Sequence, residues 1–196
     1  AHYYASNDYL TLGAAVRRLS RPWLFKNPHI RGHAAQIEAH LDVDIGMFLD
    51  LMESMPEVDN RTLIVFTSDN GPHREPKGYD PAWFQTSGGL RGLKRTVFEG
   101  GLRVPTMVRF KNRIVAGAVS RIPFSLYDLA ETFREVARLP SKHVPFVSGS
   151  SMWPAWRSGR EDRAPSRTWL HSEYCLRSSR YQRACYTATY DIREWR

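Results

Sequence analysis

Leu63-Ile64-Val65-Phe66-Thr67-Ser68-Asp69-Asn70-Gly71-Pro72-His73 is the stretch on which the fold of this chain turns. It starts as an apolar run with β-branched residues and ends in polar, turn-forming sequence. A continuous apolar run, unlike an alternating one, suits a strand covered on both faces, as in an α/β sheet. Ligands of open α/β sheets bind beyond the carboxyl ends of the strands, and Asp69 and Asn70 stand at such an end. A carboxylate and a carboxamide are hard oxygen donors of the kind that calcium and magnesium prefer, although calcium needs about six to eight oxygens in all. The same Asp-Asn-Gly is also a strong turn signal, since Asn-Gly accepts positive φ. Taken alone, the tripeptide reads as a turn before it reads as a ligand pair.

Upstream, residues 33–54 carry a helical pattern. Ile37, Leu41, Ile45, Phe48, Leu49 and Met52 share one face, while Glu38, Asp42, Asp50 and Glu53 take the other. Gly46 interrupts this helix at a cost of about 1 kcal/mol relative to Ala, which is consistent with a neighbouring element approaching closely. Pro56 marks the end, and Glu57 to Arg61 read as a short polar link into the strand, giving an α-to-β unit. His33 and His40, seven apart, are expected to face solvent or to be satisfied in the core rather than to bind metal. Residues 1–32 show no period; Leu10 to Leu19 suit a short helix in a segment draped over something else.

Downstream, residues 72–90 form a long loop with Pro76 and Pro81, the kind that is functional or mobile when it occurs inside a domain. It leads into Gly89-Leu90-Arg91-Gly92-Leu93-Lys94-Arg95-Thr96-Val97-Phe98-Glu99-Gly100-Gly101-Leu102-Arg103-Val104-Pro105. Lys94, in a glycine-flanked loop, can bring a point charge to an anion, though a solvated surface lysine is the commoner fate. Gly100 and Gly101 permit unusual backbone angles, and Arg103 suits a carboxylate partner. His73 reads equally as proton donor, ligand or loop residue. A strand follows over 104–110, with Pro105 near its start, where a missing N–H is tolerated. A helix is expected over 125–139, capped by Ser125 with Asp128 in the capping-box position. After residue 147 spaced Gly and Pro mark a linker or loop-rich subdomain, with strands over 168–174 and 184–190. The division is therefore 1–147 and 148–196. Cys175 and Cys185 close a short disulfide loop or remain two thiols; spacing allows both.

With 196 residues, 42% hydrophobic and 12% aromatic, the chain has enough apolar sequence for a core. It holds no apolar run long enough to span a membrane, and its first residues do not form a signal peptide. It begins with Ala, as a fragment or processed product would. A formal net charge of +8 favours anionic partners, but no zinc-finger spacing, RNA-binding aromatic pattern or basic helix accompanies it, so nucleic acid is not expected. No nucleophile elbow, P-loop or dinucleotide fingerprint occurs. Asn60-Arg61-Thr62 fits the N-glycosylation pattern.

The two loops together carry more than either alone. Thr67 to Gly71, followed by Leu90 to Pro105, resembles the paired motifs of the sulfatase family, within the alkaline phosphatase superfamily. The helix over 37–51, the helix from Ser125 to Pro140 and the segment Gly149-Ser150-Ser151-Met152-Trp153-Pro154 occur in the family's order, so the resemblance covers about residues 33–155. It implies an α/β fold: part of an alkaline-phosphatase-like mixed sheet flanked by helices, then the start of a small C-terminal α+β subdomain. It also implies hydrolysis of sulfate esters at a calcium ion, or magnesium, with Asp69 and Asn70 as metal ligands and Lys94 against the sulfate; His73, which the resemblance does not assign, is expected as a second substrate contact. The implied partner is a sulfated small molecule or glycan, and the implied location is secreted, periplasmic or lysosomal. The family's formylglycine arises within Cys/Ser-x-Pro-x-Arg; neither Cys175 nor Cys185 fits that pattern, so this nucleophile is not expected in the chain. The chain thus resembles the later half of a sulfatase, inactive alone. The alternatives are a phosphodiesterase or phosphonate monoester hydrolase of the same superfamily, and a non-catalytic polyanion-binding remnant.

Overall fold

The computed structural model of the chain describes residues 2–5, 31–74, 85–140, 149–167, 169–176 and 184–191. The expected helix over Leu10 to Leu19 lies outside them. Strands β1 (His2–Ala5), β2 (Ile64–Thr67), β3 (Pro105–Arg109) and β4 (Val119–Ser120) form one mixed sheet in the order β2-β3-β1-β4. β1 runs parallel to β3, whereas β2 is antiparallel to β3 and β4 to β1. β3 opens on Pro105, where its missing N–H costs nothing to the ladder. Thr106 and Val108 on one face are buried, as the two-residue period of a strand requires. β1 carries no legible alternation in sequence; its pairing with β3 is what makes it a strand. Among the described residues β2 has a neighbour on one side only, and its apolar run is half-buried along its length, not fully covered on both faces as expected.

Helix α1 (Arg31–Ser54) occupies the span that the periodicity marks. From His40 onward its side chains are mostly exposed: Leu41 at 48%, Met47 at 66% and Phe48 at 46%, against 5% for Met52. Gly46 does not serve a close approach, since a Cβ built there would meet nothing within 4 Å. At its end the helix meets β3, whose Arg109 guanidinium stands 3.7 Å from Glu53 Oε1. His40 faces solvent.

The polar link after Pro56 is more than a link. It forms a helical turn, α2 (Pro56–Asp59), with Pro at its start, where the missing N–H is one that no helix satisfies. The turn buries Asp59 completely. Arg109 at the end of β3 grips both carboxylate oxygens, and Lys111 Nζ stands 3.2 Å from Oδ2. The Arg109 hydrogen bonds hold the Asp59 carboxyl below the usual carboxylate range, against the opposing effect of burial.

The core is one cluster of Val108, Phe110, Ile114, Phe124, Met152 and Trp156. Phe124 meets Trp156 edge-on at 5.8 Å between ring centres. Met152 and Trp156 come from α5 (Trp153–Ser158) and the residue before it. Helix α4 (Asp128–Val136) is the regular part of the expected 125–139 helix. The Ser125 N–H donates to Asp128 Oδ2 at 2.8 Å, the return half of the capping box. Asp128, fully buried, also accepts the Ser150 N–H at 2.9 Å and a two-pronged grip from Arg167. One carboxylate thus ties together the start of α4, the segment leading into α5 and the approach to the final hairpin. That hairpin, β5 (Trp169–Leu176) with β6 (Ala184–Asp191), is a separate antiparallel pair, close to the two strands expected there. Cys175 faces Cys185 across it and the two are joined as a disulfide. Among the described residues no helix is long and apolar enough to cross a membrane.

Candidate active site

β2 delivers Ser68, Asp69 and Asn70 at its carboxyl end, where the Ser68 hydroxyl donates to the Asn70 carbonyl at 3.0 Å and rounds off the turn. The Gly71 N–H then donates to the Gly101 carbonyl at 2.9 Å, and the Lys94 N–H donates to the Pro72 carbonyl at 2.8 Å. These two bonds sew the first loop to the second. Glycine is what makes the seam close enough. A Cβ on Gly71 would lie 2.0 Å from the Gly100 carbonyl oxygen, and one on Gly100 would lie 2.2 Å from the Gly92 carbonyl oxygen. Any larger residue at either place would force backbone apart.

The second loop is itself wound tightly. The Gly100 N–H donates to the Arg91 carbonyl at 2.7 Å, and the Thr96 hydroxyl to the Leu93 carbonyl at 2.7 Å. Gly92 takes φ 89°, and Arg95, with a side chain, takes φ 74° on the far side of Lys94. The Arg91 guanidinium lies 3.9 Å above the centre of the Phe98 ring. A short helical turn, α3 (Glu99–Leu102), ends the loop, and Arg103 pairs back to Glu99 at 3.2 Å, the carboxylate partner expected for it.

Asp69 and Asn70 line a cleft of about 180 Å³ with Glu99, Arg103, Ser172 and Tyr190. Ser172 and Tyr190 belong to the hairpin, so the cleft is closed by an element more than a hundred residues along the chain from β2. The Tyr190 hydroxyl donates to the Val97 carbonyl, pinning the hairpin to the Lys94 loop. Burial, helped by the nearby Glu99 carboxylate, pushes the Tyr190 phenol up from its usual value, so it remains a donor. Asp69 is exposed and Asn70 half-buried, and among the described residues no ion pair holds Asp69.

Of the expected site residues, Asp69 and Asn70 share the cleft, whereas Lys94 and His73 are not in its lining. Lys94 is exposed and His73 half-buried, brought near each other by the Lys94–Pro72 backbone bond. The donors suit a hard cation in kind, two oxygens from a carboxylate and a carboxamide. They do not suffice in number. Among the described residues the one trio of acidic, His or Cys groups close enough to share an ion is Glu173, Cys175 and Cys185, and its cysteines are consumed by the disulfide. Sequence reasoning did not find Tyr190 or Ser172, because no local pattern signals a contact across so many residues.

The description of the family model that matches residues 24–139 is Sulfatase. The chain belongs to the sulfatase family. It is 34% identical over 139 residues to the steryl-sulfatase of Rattus norvegicus, a match covering 66% of this chain and 23% of that protein. Against the N-acetylgalactosamine-6-sulfatase of Homo sapiens it is 30% identical over 141 residues, covering 72% of this chain and 26% of the relative. It therefore spans about a quarter of the length of the curated relatives it matches. Among solved structures, Ps i-CgsB in complex with k-i-k-neocarrahexaose superimposes with a TM-score of 0.60 at 21% identity, over 87% of this chain and 38% of that one. Another, in complex with its substrate D-glucosamine-2-N,6-O-disulfate, gives 0.53 at 21% identity, covering 85% of this chain and 34% of that one. These likenesses bear out the α/β, alkaline-phosphatase-like fold.

Proposed function

We propose that this sulfatase-family chain carries the later part of a sulfate-ester hydrolase site. Asp69 and Asn70 supply two oxygens to a divalent cation, calcium by preference, and Lys94 supplies a positive charge to the sulfate. His73 is a second contact for the substrate. The observation that carries this reading is the glycine seam, which locks the Asp69–Asn70 loop and the Lys94 loop into one unit. Groups held by such a seam need little reorganisation when charge develops on the sulfate oxygens, which is the condition for electrostatic catalysis. The cation, when bound, would polarise the sulfate as a Lewis acid. Asp69 and Asn70 would hold it, and the Lys94 ammonium would present a point charge to the sulfate from the second loop.

The substrate is a sulfated small molecule or glycan, in keeping with the sulfated sugar bound by the second solved neighbour. The Cys175–Cys185 disulfide and the Asn60-Arg61-Thr62 sequon support an oxidising, secretory or periplasmic setting. The division at residues 147/148 is retained as part of this proposal, with the disulfide hairpin as the core of the smaller unit.

Calorimetric titration tests the ligand pair. Calcium is expected to bind the 196-residue chain weakly, in about the millimolar range that sparse oxygen sites give. Asp69→Ala is expected to reduce that affinity about tenfold or more. Lys94→Ala is expected to leave calcium affinity unchanged while weakening binding of an aryl sulfate. Calcium binding indifferent to both Asp69→Ala and Asn70→Ala would remove the basis for the site.

A further inference from the structure

A second concavity lies at the amino end of β2, the opposite end from Asp69. Its volume is about 560 Å³, and it is lined by the apolar Leu63, Phe110 and Phe133 together with Arg61, Arg113 and Arg138. That size falls within the range of small-molecule sites, about 300–1,000 Å³. Among the described residues no Asp or Glu lines it. Elsewhere Arg103, Arg109, Arg134, Arg160 and Arg167 each hold a carboxylate. Among the described residues no carboxylate pairs with Arg61, Arg113 or Arg138. Three like charges gathered without a counter-charge repel one another, and an anion relieves that repulsion.

Two local details point the same way. Arg113 lays its guanidinium 5.0 Å from the centre of the Phe110 ring, which holds the charge against the apolar lining. Arg138 sits at φ 54°, just past the end of α4, with its N–H donating to the Glu135 carbonyl and the Leu139 N–H to the Arg134 carbonyl. That is a helix-terminating motif in which glycine is the usual residue. A side chain there strains the left-handed backbone, yet the position carries an arginine that lines the basin.

We propose that this basin binds a compact organic anion: one sulfonate-, sulfate-, phosphate- or carboxylate-type group on a flat apolar body. The arginines take the charge and Leu63, Phe110 and Phe133 take the body. The inference is independent of the Asp69–Lys94 reading and goes beyond it.

Calorimetry at low salt on the whole 196-residue chain tests it with three probes: 2-naphthalenesulfonate, its neutral counterpart 2-naphthalenemethanol, and inorganic sulfate. The sulfonate is expected to bind one-to-one, about tenfold or more tighter than either the neutral ring or the bare anion. A variant combining Arg61→Gln, Arg113→Gln and Arg138→Gln is expected to lose about tenfold or more, the effect of losing at least one charge-assisted hydrogen bond. Arg138→Gly alone is expected to weaken binding while raising the melting temperature, since it relieves the left-handed backbone; this single change keeps the test open should the triple variant not fold. Arg160→Gln, which removes an arginine already paired with Asp162 outside the basin, is expected to leave sulfonate affinity unaltered. Equal affinity for the neutral ring, unchanged affinity in the arginine variants, or loss of binding in Arg160→Gln would each overturn the proposal.

Discussion

Gly71 and Gly100 show how much single positions decide here. Each faces backbone oxygen, not a side chain that can swing aside, at 2.0 and 2.2 Å from a built Cβ. Gly71→Ala is therefore expected to part the two loops, destabilising the chain by about 1–3 kcal/mol or more, and to abolish what calcium affinity it has; thermal melting with parallel calorimetry reads both. Asp59 is the second such position. Its carboxyl is held low by Arg109 and Lys111, so its stabilisation is full above the unfolded carboxylate value near pH 4 and is lost as pH falls through the lower folded value. Asp59→Asn removes the buried carboxylate that Arg109 and Lys111 share, while Glu53 remains 3.7 Å from Arg109, and is expected to cost about 1–3 kcal/mol at neutral pH. Melts across pH 2 to 7 should show the gap between the two proteins closing below about pH 4; a gap constant with pH would mean that the ion pair is not what Asp59 contributes. The roles of Gly71 and Asp59 were not legible in sequence. A glycine in Asp-Asn-Gly reads as a turn, and an aspartate in Glu-Val-Asp-Asn-Arg reads as solvated. Both take their meaning from elements thirty to fifty residues away.

At the scale of elements, the hairpin is where local and distant forces meet. Its strands were expected from their composition, but its partner was not. The register places Tyr190 opposite Leu170 and Cys175 opposite Cys185. The disulfide therefore clamps the end nearer the turn, while Leu170 and Tyr190 face the cleft at the other end. A cross-link closing so short a loop is worth about 2–3 kcal/mol. Reduction, or Cys175→Ser with Cys185→Ser, is expected to open residues 169–191 to proteolysis while cleavage within β2 and β3 stays slow. Unchanged proteolysis of the hairpin would mean that the Tyr190–Val97 contact holds it without the bond. Helix α4 teaches a related lesson. Ser125 and Asp128 announced its start through a local pattern, but the same Asp128 oxygens also hold Arg167 and the Ser150 N–H, contacts that no helix rule foretells.

For the whole molecule, one well-formed core stands beside surfaces that are not covered. The core gathers around Val108 and Trp156, whereas the apolar stripe of α1 shows Leu41, Met47, Phe48 and Leu51 to solvent. The proposed site is similarly partial: two candidate oxygen ligands and a lysine, and no Cys/Ser-x-Pro-x-Arg in the 196 residues. The chain by itself is accordingly expected to give no turnover of an aryl sulfate in the presence of calcium. Activity that disappears in Lys94→Ala would sink that expectation and show that the residues present suffice.

The family, the α/β class and the identity of Asp69, Asn70 and Lys94 as candidates were determined by sequence alone. Those features live in short motifs, in the spacing between them and in hydrophobic period, all of which are written along the chain. Tertiary structure alone decided that Gly71, Gly92 and Gly100 form a seam, that Asp59 and Asp128 are buried anchors, and that Tyr190 closes the cleft. It also decided that Asp69 and Asn70 share a cleft from which Lys94 and His73 are absent. The physical reason is the same in each case. Burial, van der Waals contact and charge pairing act through space over a few ångströms, and which residues come within that reach is settled by packing, not by position in the chain.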